Sequence, residues 1–417
     1  MRVNRALVVG AGIGGLAAAT ALSRAGAAVD VVEIKPDGNV VGIGINQPGN
    51  SLRALNALGV LDDVLNAGFT FDGNDFRDWH DNEILRVPSS LGDDRVPANC
   101  ALTRADLAEI LRRAAVSAEA HIRYGVTVED IEDGPESAVV SFTDGRQETY
   151  DLVAAFDGAR SSVRRRLFGT EFDPVFTGCS VWRLQLPRPP EIVRTTVYQG
   201  DRVKGGLIPL SERLMYLLVV TQEPGNPHYA SENFGDLLVE RMHGFKGPLG
   251  VIRDNITGPE GIIYSPLVEC CLPAPWHRGR VIVLGDAAHT TVPHLTQGAA
   301  MALEDAIVLA DEVSMDRPLD DSLTAVAEVR GPRVGLVNAV SRAILDQEMS
   351  ITADLLPLAC QRMREEMPGQ VAHVESVLNA SFRSPHAATA EPASPRENGL
   401  HDELSGAIDT GRTNSNP

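Results

Sequence analysis

The chain has 417 residues, a formal net charge of −19, 43% hydrophobic residues and 22% charged residues. This composition is that of an ordinary globular protein, long enough for two domains. The excess of acid argues against nucleic acid as a partner, because no positive field attracts phosphates. No apolar run approaches 18 residues, so no membrane span is expected, and the first strand starts too early for a signal peptide. We therefore expect a cytoplasmic protein.

A glycine-rich turn follows the first apolar run, Ala6 to Val9. Gly10 suits a tight turn, and Gly12 lets the backbone approach a pyrophosphate. From about Gly14 a helix is expected, and Gly15 lets it pack closely on the strand. The free N–H groups of its N-terminus favour phosphate.

A second strand, Val29 to Ile34, carries Glu33 about twenty residues beyond the glycines. An acid at this position accepts hydrogen bonds from ribose hydroxyls and disfavours a 2′-phosphate, which points to FAD or NAD rather than NADP. The glycine pattern alone is weak, and a purely structural turn is the alternative. The strand–turn–helix–strand context favours a dinucleotide site.

A second glycine segment begins where the apolar run 281–284 ends at Gly285. Asp286 would lie at the carboxyl end of a buried strand, where open α/β sheets bind ligands. Small residues from Gly298 onward would leave the backbone open beside a flat ring at the start of a helix. The alternative is an ordinary strand–loop–helix unit of the same sheet.

Between these segments the pattern changes to short strands separated by proline and glycine, which predicts an antiparallel sheet. The fold class is therefore α/β (α+β), with a Rossmann-like nucleotide-binding domain, an antiparallel-sheet domain and C-terminal helices. The five cysteines lack CxxC spacing, so we expect neither zinc nor disulfides. The predicted boundaries are 1–176 and 269–345 for the two parts of the nucleotide-binding domain, 177–268 for the sheet domain, 346–380 for C-terminal helices and 381–417 for a disordered tail.

Three motifs together resemble the single-component FAD-dependent aromatic hydroxylases, or class A flavoprotein monooxygenases. They are the first glycine segment with Glu33, the run DGARSSVR from Asp157 to Arg164, and GDAAH…PHLTQG…EDA from Gly285 to Ala306. The salicylate, hydroxybenzoate and hydroxynicotinate hydroxylases are the most similar in pattern. The resemblance covers roughly residues 1–345 and implies an FAD-binding domain of the glutathione-reductase type.

The resemblance implies a role for each matching residue. The FAD contacts would be Gly10, Gly12, Gly14, Gly15, Glu33, Arg104, Val128, Asp157, Arg164, Asp286 and Gly298. Thr103 predicts an N-cap for a helix that runs through Ala115, and for Arg104 a solvated arginine at this helix start is the alternative. The Asp157–Arg164 run would serve both FAD and NAD(P)H, and an ion pair between its two end residues is a compatible structural interpretation.

The implied reaction uses NAD(P)H and O₂ to hydroxylate a small phenolic or N-heteroaromatic compound through a flavin C4a-hydroperoxide. Because a phenolate reacts faster than a phenol, a base is valuable, and His294 is our candidate, with Tyr216 as a second catalytic group. A packing role for His294 and a structural role for His289 stay open. Candidates to line the substrate pocket are Trp182, Arg183, Tyr198, Lys204 and Tyr216.

Two other functions remain open. One is an FAD-dependent tailoring oxygenase or epoxidase acting on a larger or non-aromatic scaffold; the other is a non-catalytic flavoprotein. The expected partners are a small aromatic substrate and O₂, and we expect no binding to nucleic acid or to a membrane. The protein would be a monomer or a homodimer.

Overall fold

The computed structural model describes residues 3–38 and 42–383. The expected tail therefore lies, from residue 384 onward, outside the described residues. The strands are β1 (Arg5–Val9), β2 (Ala28–Glu33), β3 (Gly44–Pro48), β4 (Phe69–Phe71), β5 (Gly73–Asp78), β6 (Glu83–Pro88), β7 (Asn99–Thr103), β8 (His121–Tyr124), β9 (Val128–Asp133), β10 (Ala138–Phe142), β11 (Gln147–Tyr150), β12 (Leu152–Ala155), β13 (Val175–Pro187), β14 (Thr195–Gln199), β15 (Val203–Pro209), β16 (Leu214–Gln222), β17 (Ile263–Glu269), β18 (His277–Arg278) and β19 (Val281–Val283). The helices are α1 (Ile13–Arg24), α2 (Gly49–Ala57), α3 (Leu61–Ala67), α4 (Arg104–Ser117), α5 (Ser162–Phe168), α6 (Phe234–Arg241), α7 (Gly247–Asp254), α8 (Asp286–His289), α9 (Gly298–Val313), α10 (Leu319–Ser350) and α11 (Leu356–Asn379).

A six-stranded sheet in the order β18-β19-β12-β1-β2-β8 forms the nucleotide-binding half. Its pairs are parallel except β18–β19. Strand β1 is buried along most of its length, as its unbroken apolar run predicts. The two glycine segments leave this sheet at the carboxyl ends of β1 and β19, parallel strands separated by β12, so they lie at the same edge.

A seven-stranded sheet in the order β17-β13-β16-β15-β14-β5-β6 forms the second half. Its pairs are antiparallel apart from β14–β5, which is parallel. The antiparallel sheet predicted for 177–268 is present, but β5 and β6 join it from residues 73–88, outside those boundaries. Strand β5 pairs with β14 across more than a hundred residues, and β6 pairs with β5. No local sequence pattern predicts the pairing of β5 with β14.

The C-terminal part of the chain is helical. The long helices α10 and α11 follow α9, and buried residues of all three belong to the same apolar core as β1, β12 and β19. Within the described ranges, no helix is long and apolar enough to cross a membrane. The mixed α/β fold, with a Rossmann-like sheet, an antiparallel sheet and C-terminal helices, is confirmed.

A fully buried ion cluster fastens the second glycine segment to helices α9 and α10. Asp305 accepts hydrogen bonds from the Gly285 backbone N–H at 3.0 Å and from Arg330 Nε at 2.8 Å, and it contacts His289 Nε2 at 2.6 Å. Neighbouring Glu304 pairs with Arg330 at 2.6 Å and Arg333 at 2.9 Å. Burial alone would raise the pKa of Asp305, but His289 and Arg330 lower it to about 2. Asp305 is thus ionised, and its hydrogen bond to Gly285 N fixes the start of the second glycine segment.

We predict that Asp305→Asn lowers the free energy of unfolding by about 3–5 kcal/mol, because it leaves the buried Arg330 charge under-compensated. Urea unfolding at neutral pH measures the change. Glu328→Gln, at an exposed position of α10, is the control and should differ from wild type by less than about 0.5 kcal/mol. Equal stability of the two variants would contradict a supporting role for this cluster.

Candidate active site

The first glycine segment has the shape that a dinucleotide loop requires. Gly10 has a φ of +102°, in the region that favours glycine. A Cβ at Gly15 would collide with the Gly10 carbonyl oxygen, so the close approach of α1 to the turn needs glycine there. At Gly12, in contrast, a Cβ would meet nothing within 4 Å. The open side of the loop is therefore at Gly12, where the sequence predicts a pyrophosphate.

Glu33 lies beside this loop at the end of β2. Its carboxylate accepts hydrogen bonds from the backbone N–H groups of Ala11 at 2.9 Å and Lys35 at 3.0 Å. Its own carbonyl accepts from Val126 N at 3.1 Å, just before β9 begins at Val128. The carboxylate is thus oriented by the glycine turn, and the predicted ribose and adenine contacts, Glu33 and Val128, belong to adjoining segments.

The second glycine segment places Asp286 and Gly298 together. Gly285 has a φ of +59°, and Asp286 follows it as the first residue of the short helix α8. A Cβ built on Gly298 would lie 3.9 Å from Asp286 Oδ1. The Asp286 side chain is reached by solvent yet lies deep in the protein, and this burial raises its pKa, while His289 and Arg104 oppose the shift. A carboxylate open to a deep cleft is suited to a ligand that fills the cleft.

Arg104 is the first residue of α4. Thr103 caps this helix, as predicted, by accepting a hydrogen bond from Asp106 N at 3.0 Å. The Arg104 side chain lies against Gly42, where a Cβ would collide with its Cδ. Its positive charge acts on both Asp286 and Tyr216, so it stands between the two halves of the site.

The Asp157–Arg164 ion pair suggested as a structural interpretation does not form. Asp157 instead accepts hydrogen bonds from the N–H groups of Ser162 and Val163, at 2.9 and 3.2 Å, at the start of α5. Arg164 is fully buried and donates to the carbonyls of Ala287 at 2.7 Å and Ala159 at 2.9 Å. Arg164 therefore ties this motif to the second glycine segment and lies away from the surface. A direct contact of its side chain with NAD(P)H or FAD is not visible in this arrangement.

Strand alternation divides the pocket candidates between the two faces of the seven-stranded sheet. Trp182 and Tyr198 pack in an apolar cluster with residues of α6 and α7, on the far face. Arg183 is paired with Leu218, and Tyr216 lies two residues from Leu218 on the same face. Lys204 points to this face as well, through its pairing with Val220. Val220 packs with Val292 of the second glycine segment, which identifies this as the flavin-domain side.

On this face of the sheet, the positive charge of Arg183 acts on the Tyr216 hydroxyl. Burial raises the pKa of the Tyr216 hydroxyl, while the charges of Arg183 and Arg104 oppose that shift. Burial also lowers the pKa of Arg183, and Arg104 adds to this effect. Within the described residues no acidic side chain forms an ion pair with Arg183. An uncompensated buried guanidinium is costly, so this position is ready to receive an oxygen acceptor from a ligand.

His294 lies in a 3-10 turn, Pro293–Leu295, between the two glycine-loop helices. Its imidazole is enclosed, with 1% of the side chain exposed, and Nε2 is 3.2 Å from Glu348 Oε2. Glu348 also accepts a hydrogen bond from Lys204 Nζ at 2.8 Å. Burial lowers the pKa of His294, and Lys204 adds to the effect, so the imidazole is neutral. Sequence reasoning missed Glu348, which stands near the end of α10 outside any motif.

The environment of His289 fits the structural role that the sequence analysis left open for it, since the side chain is buried against Asp305 and beside Trp276. Asn50 was also missed. Its amide exchanges hydrogen bonds with Gln297 at 2.9 and 3.1 Å and donates to Glu304. This contact fixes the residue before Gly298 from helix α2, some 247 residues earlier in the chain.

Comparisons with known proteins place the chain in a family. The family profile described as "FAD binding domain" matches residues 4–315. The putative FAD-dependent monooxygenase YetM of Bacillus subtilis is 33% identical over 347 residues, which cover 82% of this chain and 93% of that protein. The 2-heptyl-3-hydroxy-4(1H)-quinolone synthase of Pseudomonas aeruginosa is 34% identical over 309 residues, covering 73% of this chain and 79% of that protein.

Among solved structures, HpxO of Klebsiella pneumoniae in complex with FAD and uric acid superposes with a TM-score of 0.80 at 24% identity, covering 90% of this chain and 96% of that one. The chain belongs to the FAD-dependent aromatic hydroxylases, the class A flavoprotein monooxygenases. It is an FAD-binding oxidoreductase. The open backbone at Gly12 and the carboxylate of Asp286 in its cleft fit that cofactor.

The two glycines Gly12 and Gly15 give a matched pair of variants. Gly12→Ala should leave the thermal stability of the FAD-free protein unchanged but weaken FAD affinity by at least about tenfold, because the new methyl group stands where the backbone must approach a phosphate. Gly15→Ala should destabilise the FAD-free protein itself. Thermal unfolding and FAD titration separate the two effects, and a normal FAD affinity in Gly12→Ala would contradict the pyrophosphate assignment.

Asp286→Ala should purify with little FAD, because the cleft loses the one carboxylate that can accept ribityl hydroxyls there. The flavin absorbance per protein measures the loss. Asp286→Asn, which keeps an acceptor oxygen, should retain more FAD than Asp286→Ala. Full yellow colour with normal turnover in Asp286→Ala would refute the contact.

Proposed function

We propose that this protein is a cytoplasmic, NAD(P)H-consuming FAD monooxygenase that hydroxylates a small phenolic or N-heteroaromatic compound. The observation that carries the proposal is Arg183, which lies on the flavin-domain face of the seven-stranded sheet with the buried Tyr216 and has no ion-pair partner among the described residues. The five cysteines are free, in keeping with a reducing compartment. The quinolone synthase relative, whose product name contains a hydroxylated N-heteroaromatic ring, supports this substrate class.

The cofactor site would be built from both glycine segments. Gly10, Gly12, Gly14 and Gly15 would hold the pyrophosphate with Arg104. Glu33 and Val128 would contact the adenosine part, Asp286 and Gly298 the ribityl chain and ring, and Asp157 and Arg164 would act by holding the loops in place. When bound and reduced by NAD(P)H, FAD supplies the activated oxygen for the reaction.

The residues of the sheet would bind and activate the substrate. Arg183 and Tyr216 would hold an oxygen substituent of the ring, and the positive charge would favour its ionised form. His294 would accept the hydroxyl proton, since its lowered pKa keeps the imidazole neutral. With His294 as the base, kcat/KM should fall as the pH drops through that lowered pKa.

A larger scaffold is a second candidate substrate, favoured by one observation. Gly206 lies on the same face between Lys204 and Ile208, and a Cβ there would meet only Ile208 and Leu218, at 3.5 Å or more. The sheet thus has an apolar, side-chain-free patch next to Arg183. A fused ring or an alkyl substituent could occupy this space, as the heptyl group in the name of the quinolone synthase illustrates.

A substrate panel tests the proposal. Purified yellow protein is mixed in air with hydroxybenzoates, nitrophenols, hydroxypyridines or a 4-quinolone, and NADH and NADPH oxidation is followed with product analysis. We expect one of these classes to accelerate oxidation and to appear hydroxylated. If the flavin is reduced but no compound of the panel is hydroxylated, the assignment to small aromatic rings is wrong.

For the compound found in that panel, Arg183→Met should weaken binding by about 10- to 100-fold, because a buried charge-assisted hydrogen bond is worth about 1.5–3 kcal/mol. The perturbation of the flavin absorbance spectrum by the ligand measures Kd. Arg188→Met, just beyond the end of the same strand and paired with exposed Glu212, is the control and should bind normally. Equal binding by wild type and Arg183→Met would remove Arg183 from the substrate site.

A further inference from the structure

The contact between the second glycine segment and the end of α10 is a buried cluster of three proton-holding groups. Glu348 stands at its centre, with Oε1 2.8 Å from Lys204 Nζ and Oε2 3.2 Å from His294 Nε2. The three residues come from β15, the 3-10 turn at 293–295 and α10. Their side chains are 11%, 14% and 1% exposed for Lys204, Glu348 and His294, so the imidazole is the most enclosed member.

The charges of this cluster decide which nitrogen of His294 carries the proton. Burial alone would raise the pKa of Glu348, but Lys204 and His294 outweigh it and the pKa is lowered, so Glu348 is an anion. A carboxylate can only accept hydrogen bonds. Glu348 Oε2 lies within hydrogen-bond distance of Nε2, although the two atoms are not aligned for a hydrogen bond in this structure. A neutral imidazole facing this carboxylate is therefore most stable with its proton on Nε2.

Both ring nitrogens are buried without an aligned hydrogen bond, but Nε2 faces Glu348 at 3.2 Å, whereas Nδ1 has neither an ion-pair nor a hydrogen-bond partner among the described residues. In the Nε2–H form, Nδ1 has a free lone pair. Because water is excluded from the ring, Nδ1 can take a proton only from a group that enters the site. A buried acceptor left without a partner costs about 1–3 kcal/mol, which a ligand hydroxyl would offset.

We propose that Glu348 is a positioning residue which, fixed by Lys204, holds His294 in the Nε2–H tautomer and leaves Nδ1 as the atom that accepts the substrate's hydroxyl proton. The proton then moves from the ligand oxygen to Nδ1, and the Glu348 carboxylate stabilises the imidazolium that forms. Glu348 itself touches neither substrate nor cofactor. The role assigned to Nδ1 rests on the function proposed above, whereas the tautomer does not.

The tautomer is measured directly on the resting holoenzyme by ¹⁵N NMR of histidine-labelled protein, with the His294 signals assigned by their loss in His294→Asn. We expect Nε2 to be protonated and Nδ1 unprotonated in wild type. In Glu348→Gln the side-chain amide can also donate, so the Nδ1–H form should become populated. A wild-type proton on Nδ1, or an unchanged tautomer in Glu348→Gln, would overturn the inference.

The pH profile of kcat/KM gives an independent test, because two variants should shift the pKa of His294 in opposite directions. The charged groups that face His294 are Lys204 from β15 and Glu348 and Asp346 from α10. Removing the negative charge in Glu348→Gln should lower the pKa of His294 and move the acidic limb of kcat/KM to lower pH. Removing the positive charge in Lys204→Met should raise it and move the limb to higher pH. A purely structural role predicts no such opposite movement.

Glu348→Gln should also lower kcat by at least about tenfold, within the roughly 10²- to 10⁴-fold that a general base contributes, and Glu348→Asp should recover part of the loss. Glu328→Gln, at an exposed position of the same helix and absent from the groups that act on His294, is the charge-matched control and should keep the His294 tautomer and kcat. If wild type turns over no compound of the panel, the proposed function fails and the tautomer measurement still decides this inference. Limbs that stay in place in an active enzyme refute it.

Discussion

The geometry of the site depends on the buried ion cluster behind the second glycine segment. Asp305 and Glu304 each face Arg330 in the interior, and removing one partner of such a buried ion pair would be strongly unfavourable. These ion pairs restrict how helix α9 can pack against helix α10. Asp305 also accepts a hydrogen bond from Gly285 N. The conformation of the turn that carries Asp286 is therefore fixed by contacts within the protein before a cofactor binds.

What the sequence could predict was local. The first glycine turn, Glu33 and the Thr103 cap depend on residues a few positions apart, and all three are found in the expected segments. The faces of the seven-stranded sheet were not predictable, since alternation leaves the choice of face open. The role of Glu348 was not predictable either, because it depends on a hydrogen bond from Lys204, which lies 144 residues earlier in the chain. The Asp157–Arg164 pair was wrong because Asp157 Oδ2 accepts from N–H groups at the start of α5, while Arg164 donates to the carbonyls of Ala287 and Ala159.

Charge is unevenly distributed around the cleft. The chain as a whole is strongly acidic, yet one face of the seven-stranded sheet carries Arg183 and Lys204, of which only Lys204 forms an ion pair among the described residues. Arg104 stands between this face and Asp286 of the second glycine segment. In the proposed function, an anionic oxygen of the substrate and the hydroxyl groups of the cofactor would therefore meet opposite kinds of environment.

The second sheet is shared between distant parts of the chain. Five of its seven strands come from one continuous stretch, and β5 and β6 come from the first hundred residues. A graft of residues 177–268 from a relative would therefore bring a sheet whose parallel edge at β14 must pair with a foreign strand. Exchange of the whole segment 177–268 between relatives should therefore disturb the pairing of β14 with β5. New substrate ranges in this architecture should arise instead through point substitutions on one face of strands β13, β15 and β16.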